Sequence, residues 1–443
     1  MVVEAWLARA AKARPRHTAL QTPSGSWSYA ELLAAARLGA GELAERGVRP
    51  GARVAIALPP GLAFAQALHA CLLLGAVAMP VDLRLSAVER GRVLESAELI
   101  VREPLPAGGS DRALPAQQAP GHELAAPAVV LHTSGTTSSS RPIELTYGNF
   151  LWSALGSAVA LGLDPRERWL CALPVCHVGG LSILLRSAIY ATTAVVHERF
   201  ETERVLEALR GGQITLVSLV ATMLARLLDA GLARPPSLRC ALTGGGPVPT
   251  ALLGRAHSRG VPVSLTYGLT EACSQVTTTP LAALADAPAG AGPPLFCTRV
   301  RTAPDGEVLL AGPTVAPASL NSDGWLHTAD LGALDADGRL HLTGRKADTI
   351  VSGGENVAPA EVEEVLEAHP LVLEAAVLAR ADPQWGEAIT AIVVARAGAA
   401  PEAEELRAHC ARLLAPFKVP KQVVLSSEPL PRTPAGKLLR REL

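Results

Sequence analysis

Three things are scarce in this 443-residue chain: an excess of charge of either sign, paired cysteine motifs, and long apolar runs. Lys and Arg number 40 against 41 Asp and Glu, a net charge of −1. Such a balance leaves no electrostatic footprint for nucleic acid or an acidic membrane surface. The seven cysteines (71, 171, 176, 240, 273, 297, 410) are an odd set without a C-x-x-C. That argues against a disulfide framework and for a reducing cytoplasm. Cys171, Cys176 and His177 lie close together, but no second ligand pair has zinc spacing. The cysteines read as small buried hydrophobes. The most apolar stretch, 61–81, is interrupted by Gln66 and His69 and ends at Pro80, so a helix followed by a strand is expected rather than a membrane span. The opening MVVEAWLARAAKARPRH lacks the apolar core of a signal peptide. Walker A, G-x-S-x-G and H-E-x-x-H motifs are missing. Gly39-Ala40-Gly41-Glu42-Leu43-Ala44 matches G-x-G-x-x-A but follows a helical pattern, so it fails the strand test of a dinucleotide fingerprint.

What is present is globular: 49% hydrophobic and 18% charged residues, in a chain long enough for a large domain and a smaller one. Periodicity predicts a helix over 27–43 capped by Ser28, a buried strand at 53–58, a helix at 63–74 and a strand at 76–81. This alternation implies βαβ units and a mainly parallel sheet. Further strands are expected at 128–132, 169–173, 215–219 and 262–266, and an apolar helix at 181–190. From about 300 the texture changes to short strands and turns. A second α/β pattern follows, with helices at 360–369 and 402–414 and strands at 372–379, 390–395 and 422–425. The domain boundary is placed at the turn near 344–348.

Four motifs can carry chemistry. Thr133-Ser134-Gly135-Thr136-Thr137-Ser138-Ser139-Ser140-Arg141 follows a strand, so backbone N–H groups and hydroxyls can gather around phosphates while Arg141 adds charge. A flexible Ser/Thr linker is the competing reading, at even odds. In Leu265-Thr266-Tyr267-Gly268-Leu269-Thr270-Glu271, Tyr267 offers a flat face to a base, Gly268 permits close approach and Glu271 can hold Mg2+. Alone, a turn capping a helix is the better bet. Upstream, Thr243-Gly244-Gly245-Gly246 can cradle an adenine or acyl group through its backbone, or be a tight turn. In Gly324-Trp325-Leu326-His327-Thr328-Ala329-Asp330, the Asp can accept ribose hydroxyls, with Arg345 beyond it; a surface ion pair is the alternative. Lys437, after Pro434-Ala435-Gly436, would normally be a solvated lysine.

The four in this order resemble the acyl-adenylate-forming (AMP-binding) superfamily, over nearly the whole chain. GVRPGARVAIALPPG, LLLGAVAMPVDLRL, YGLTEA, GWLHTADLG, GRKADTIVSGGENVAPAEVE and PRTPAGKLLR all look like its motifs. The resemblance implies an α/β fold. A large N-terminal domain of parallel and mixed sheets flanked by helices, with a β-rich subregion (1–344), precedes a small mobile α+β C-terminal domain (345–443), hinged at about 345–348. It implies an acid–thiol ligase using ATP, Mg2+ and coenzyme A. By that resemblance Thr133, Ser134, Gly135, Thr136, Thr137 and Arg141 hold phosphates, and Gly245, Tyr267, Gly268 and Thr270 line the nucleotide. Glu271 and Thr136 serve the metal, Asp330 the ribose, and Arg345 the ribose or phosphate. Lys437 bridges carboxylate and α-phosphate during adenylation. Rotation then brings Ser352, Gly353 and Gly354 beside a thiol tunnel.

The stretches from Cys171 to Tyr190 and from Thr270 to Thr278 look more narrowly like o-succinylbenzoate–CoA ligases of menaquinone biosynthesis. On that likeness His177 stands at the acyl side, as gate or wall, with Gly244 and Gly246. Arg186, Ser274 and Gln275 are candidates to meet a second carboxylate or ketone. Arg186 as a structural ion-pair partner is the bland alternative. Another aromatic or short acyl-CoA ligase, a stand-alone enzyme loading a carrier protein, and a non-catalytic nucleotide binder are the competing functions. Partners are expected to be small molecules, a carboxylate with ATP and CoA, and a homodimer is compatible with the composition. Two departures stand out. Ser138-Ser139-Ser140-Arg141 replaces the usual Gly-x-Pro-Lys, at a cost of about 1 kcal/mol if Ser138 takes positive φ. Ala347 replaces the usual hinge Asp or Lys.

Overall fold

The computed structural model of the chain describes residues 1–106, 121–133, 141–284, 290–352, 355–382, 385–414, 416–433 and 438–443. The predicted alternation is realised as two helix-flanked sheets. In the first, strands Leu99–Val101, Arg53–Ile56, Val77–Pro80 and Pro127–Thr133 run parallel, and Arg141–Thr146 closes the edge antiparallel to Pro127–Thr133. In the second, Val263–Leu269, Cys240–Thr243, Leu216–Leu219, Arg168–Cys171, Thr193–Val196 and Thr18–Thr22 are parallel neighbours. Antiparallel strands Ser274–Thr278 and Gly25–Ser28 flank them. The central strands are buried on both faces, which is why they read as unbroken apolar runs.

Local chemistry explains the elements. Ser28 accepts from the Glu31 N–H and Glu31 answers the Ser28 N–H, a capping box that starts the helix at Tyr29–Glu45. Trp27, expected inside that helix, instead pairs with Leu20 in the preceding hairpin. Gly39, the first glycine of the false fingerprint, lies in this helix. A Cβ there would meet Ala70 and Leu105 at 3.0 Å, so its bareness permits close packing against helix Leu62–Leu74. Six of the seven cysteines are buried and all are free, as expected of small hydrophobes.

The β-rich subregion is a four-stranded antiparallel sheet of Arg299–Thr302, Glu307–Ala311, Leu326–Leu334 and Leu340–Arg345. Beyond it, helices Pro359–Glu367 and Ala403–Leu413 pack on a five-stranded sheet centred on Gly386–Ala395, with Val372–Asp382 antiparallel beside it. This unit has its own core around Val362, Leu366, Val377, Ile389 and Leu406. A large unit and a small one, each with its own core, therefore match the expected class. No helix among the described residues is long and apolar enough to cross a membrane.

Candidate active site

In the eight-stranded sheet, Arg168–Cys171 pairs with Thr193–Val196 on one side and with Leu216–Leu219 on the other. The chain passes from the first of these to the second through helix Val178–Tyr190 and then returns across the sheet. Strand order reverses there, and crevices form outside the carboxyl ends of strands at such a reversal. His177, at the N-cap of that helix, lies at this edge. So do Gly244–Gly246, after Cys240–Thr243, and Tyr267 and Gly268 at the end of Val263–Leu269.

The five-stranded sheet presents the same edge. Val77–Pro80 and Pro127–Thr133 are parallel, with Ala78 opposite Val129, so the turn at Asp82 and the end of Pro127–Thr133 share a side. The two edges touch: Arg84 Nη2 is 3.1 Å from His177 Nε2. Thr133 and Arg141 differ from expectation. They are not loop residues but register partners at the tip of an antiparallel pair. The alternation of Ile143 and Leu145, buried, with exposed Pro142 and half-buried Glu144 explains the strand. Ser134, Gly135, Thr136 and Thr137, with Ser138–Ser140, lie outside the described residues, as do Gly353, Gly354 and Lys437.

The glycines work in different ways. A Cβ on Gly244 would stand 2.5 Å from the Thr266 carbonyl, so it packs against the next strand. Gly245 has φ +81°, and Gly246 faces open space. A Cβ on Gly268 would lie 1.8 Å from the Ser274 carbonyl. Here the missing side chain admits a neighbouring strand.

Tyr267 belongs to a strand and not to a helix-capping turn. Its hydroxyl donates to Asp330 Oδ2 at 2.7 Å, and Arg345 Nε lies 2.8 Å from Asp330 Oδ1. Burial and the adjoining carboxylate push the Tyr267 phenol well above its usual range, so it stays a donor. Asp330 is buried and therefore no surface pair. Thr270–Ala272 forms a short 3-10 turn whose Glu271 carbonyl accepts from the Ala316 N–H at 2.7 Å. The Glu271 side chain is half-buried, and its hard oxygen donors suit Mg2+.

Past that turn, Cys273 and Ser274 take positive φ, 54° and 90°. Gln275 is buried, donating from Nε2 to Thr278 Oγ1 at 2.8 Å, while its Oε1 has no partner among the described residues. Arg186 is 3% exposed. It donates from Nη2 to Ser153 Oγ at 2.9 Å, and Ser153 donates to the Cys273 carbonyl at 2.7 Å. Its guanidinium sits 5.7 Å from the Trp169 ring centroid, and its Nε has no partner among the described residues. Among the described residues no carboxylate lies in ion-pair range of Arg186. Ser352 is buried, and its hydroxyl has no partner among the described residues.

Sequence reasoning missed Asp82, Arg84 and Ser153. The available signal was Asp-x-Arg just past a strand, where an Asp closes a turn on the N–H two residues ahead. Ser153, inside a helix, carried none.

The chain matches the AMP-binding enzyme family over residues 7–318 and the AMP-binding enzyme C-terminal domain over residues 361–437. It belongs to the AMP-binding enzyme family. Among curated members, the 2-succinylbenzoate–CoA ligase of Bacillus subtilis (strain 168) is 36% identical over 477 residues, covering 99% of this chain and 97% of the relative. That of Geobacillus kaustophilus (strain HTA426) is 38% identical, covering 99% and 96%. The o-succinylbenzoate CoA synthetase (MenE) of Bacillus subtilis, in complex with the acyl-adenylate intermediate OSB-AMP, superimposes with a TM-score of 0.90 at 35% identity, covering 100% and 98%. A more distant member, ATP-bound MatB from Rhodopseudomonas palustris, gives a TM-score of 0.89 at 25% identity, covering 99% and 97%.

Proposed function

We propose that this AMP-binding enzyme is a 2-succinylbenzoate–CoA ligase: it joins the acid to AMP, releasing pyrophosphate, and then transfers the acyl group to the thiol of coenzyme A. The full-length likeness to ligases of that name carries the reading. Asp330, oriented by Tyr267 and Arg345, would receive the ribose hydroxyls. Glu271 and Thr136 would hold Mg2+, which neutralises phosphate charge when bound. The loop from Thr133 through Arg141 would hold the phosphates with hydroxyls and N–H groups, and Gly245, Gly268 and Thr270 would line the nucleotide. Lys437 would meet the charge that develops on the α-phosphate.

The acyl side lies between His177, Gly244, Gly246 and the Ser274–Gln275 segment. Arg186 is the residue best suited to a dianionic acid. A buried cation without a carboxylate is costly, and a second carboxylate of the substrate would compensate it.

The division at 344/345 and a hinge at 345–348 fit the bonding. Arg345 is tied to Asp330, and Lys346 donates to Glu307 and Asp305, both at 2.7 Å. Asp348 instead faces Arg440 at 3.6 Å. The change of allegiance falls at Ala347, which we take as the pivot. Turning there would withdraw Lys437 and bring the 352–354 segment to the cleft. Because ATP and coenzyme A are intracellular, we place the reaction in the cytoplasm.

The test is incubation with Mg-ATP, o-succinylbenzoate and CoA, following pyrophosphate, AMP and thioester. All three should appear in equal amounts. Pyrophosphate without thioester would point to a carrier-protein acceptor. No pyrophosphate with a panel of carboxylates would point to a non-catalytic relative.

A further inference from the structure

We propose that Arg84, forked onto Asp82, is a positioning residue that fixes His177 as the neutral tautomer bearing its proton on Nδ1. This deepens the proposed function, because it rests on His177 standing at the acyl side. Three features of the structure carry it.

The first is local. Asp82 follows strand Val77–Pro80 and closes a turn, accepting the Arg84 N–H at 3.0 Å. Arg84 folds back on the same carboxylate, Nε to Oδ1 at 2.7 Å and Nη2 to Oδ2 at 2.6 Å. Two parallel bonds plus the turn hold the guanidinium plane in one orientation.

The second is the reach across the cleft. Arg84 comes from the five-stranded sheet and His177 from the eight-stranded sheet, and their 3.1 Å contact joins the two carboxyl edges. Among the described residues, the other charged group near that nitrogen, Asp82 Oδ2, is 3.8 Å away, beyond hydrogen-bond range.

The third is chemical. A guanidinium has five N–H donors and no acceptor. The bond is therefore possible only if His177 Nε2 offers its lone pair, which puts the proton on Nδ1 and leaves the ring uncharged. Burial holds the imidazole below its ordinary range, Arg84 adds to this and Asp82 opposes it. The adjacent Cys176 thiol, pushed up to about 12 by burial, is uncharged. A neutral ring offers a flat face and one N–H donor and adds no positive charge at the acyl side.

The experiment reads the tautomer directly, by long-range 15N NMR of histidine-labelled full-length protein, with His177 assigned by its loss in His177→Gln. The wild type should show a protonated Nδ1 and bare Nε2 at pH 7. In Arg84→Gln, whose amide can donate or accept, His177 should populate both tautomers. Arg84→Lys, which like Arg can donate but not accept, should recover the Nδ1–H form. In activity, Arg84→Gln should raise the KM for the carboxylate roughly tenfold at pH 6.5 and leave the KM for ATP within about twofold. A proton on Nε2 in the wild type, or unchanged His177 signals in Arg84→Gln, overturns the proposal. An equal rise in both KM values would assign Arg84 a general structural role and overturn it too. If o-succinylbenzoate is not turned over at all, the NMR result still decides the clamp.

Discussion

Asp330 and Arg345 face each other as register partners on adjacent antiparallel strands, and their side chains close the same gap, Nε to Oδ1, at 2.8 Å. The second oxygen of Asp330 takes the Tyr267 hydroxyl. The carboxylate is thus aimed before any nucleotide arrives. Asp330→Ala should weaken ATP binding by about 1.5–3 kcal/mol, the value of a hydrogen bond to a charged group. Pyrophosphate exchange at graded ATP concentrations measures it; an unchanged KM for ATP would remove Asp330 from the nucleotide site.

Lys437→Ala should separate the half-reactions. Adenylation should fall at least about 100-fold, as for loss of one charge-stabilising group. Thioester formation from preformed acyl-adenylate should stay within a few-fold. Equal loss of both would contradict a rotation that withdraws the lysine.

Arg186→Met should keep or raise the melting temperature, because it removes a buried charge that no described carboxylate balances. It should also raise the KM for o-succinylbenzoate far more than that for benzoate. A melting temperature several degrees lower, with no change in selectivity, would show that Arg186 serves packing alone.

The glycines make a matched pair. Gly268→Ala puts a Cβ 1.8 Å from the Ser274 carbonyl and should destabilise the fold by about 3 kcal/mol through strand displacement. Gly246→Ala meets nothing within 4 Å and should melt like the wild type. Thermal unfolding of the two variants gives the comparison.

Stability should also depend on pH through Glu367. Burial first, and then the nearby Glu363 and Glu374, raise its carboxyl from 4.5 to about 7, against an opposing Ala375 N–H and Arg432. The unfolded chain releases this proton first, so stability falls as pH rises from about 4.5 through about 7 and is level above that. Glu367→Gln should flatten this slope and unfold at higher denaturant than the wild type at pH 8. A variant less stable at pH 8 than the wild type would contradict the assignment.

Much of this was legible because its signals are local. Capping chemistry placed the helix after Ser28 within two residues. The apolar runs at 53–58 and 215–219 became buried parallel strands, since burial on both faces demands such runs. The ordered motifs from Thr133 to Lys437 sufficed to indicate the family, because each residue type is dictated by the phosphate, metal or ribose it would meet. Strand pairing, which local signals do not encode, accounts for the differences. Thr133 and Arg141 looked like loop ends until their ladder was seen, and Tyr267 looked like a turn residue until strand Ser274–Thr278 was laid against it.

The sequence by itself determined the class of fold, the order of the elements and the family, since periodicity, caps and motif spacing act over a few residues. Only the tertiary structure decided that Arg186 is a buried cation with no described carboxylate beside it, and that Arg84 reaches His177 from another sheet. The physical reason is the same for both. Charge balance and tautomer depend on what lies within about 4 Å in space, and those neighbours are tens of residues away along the chain.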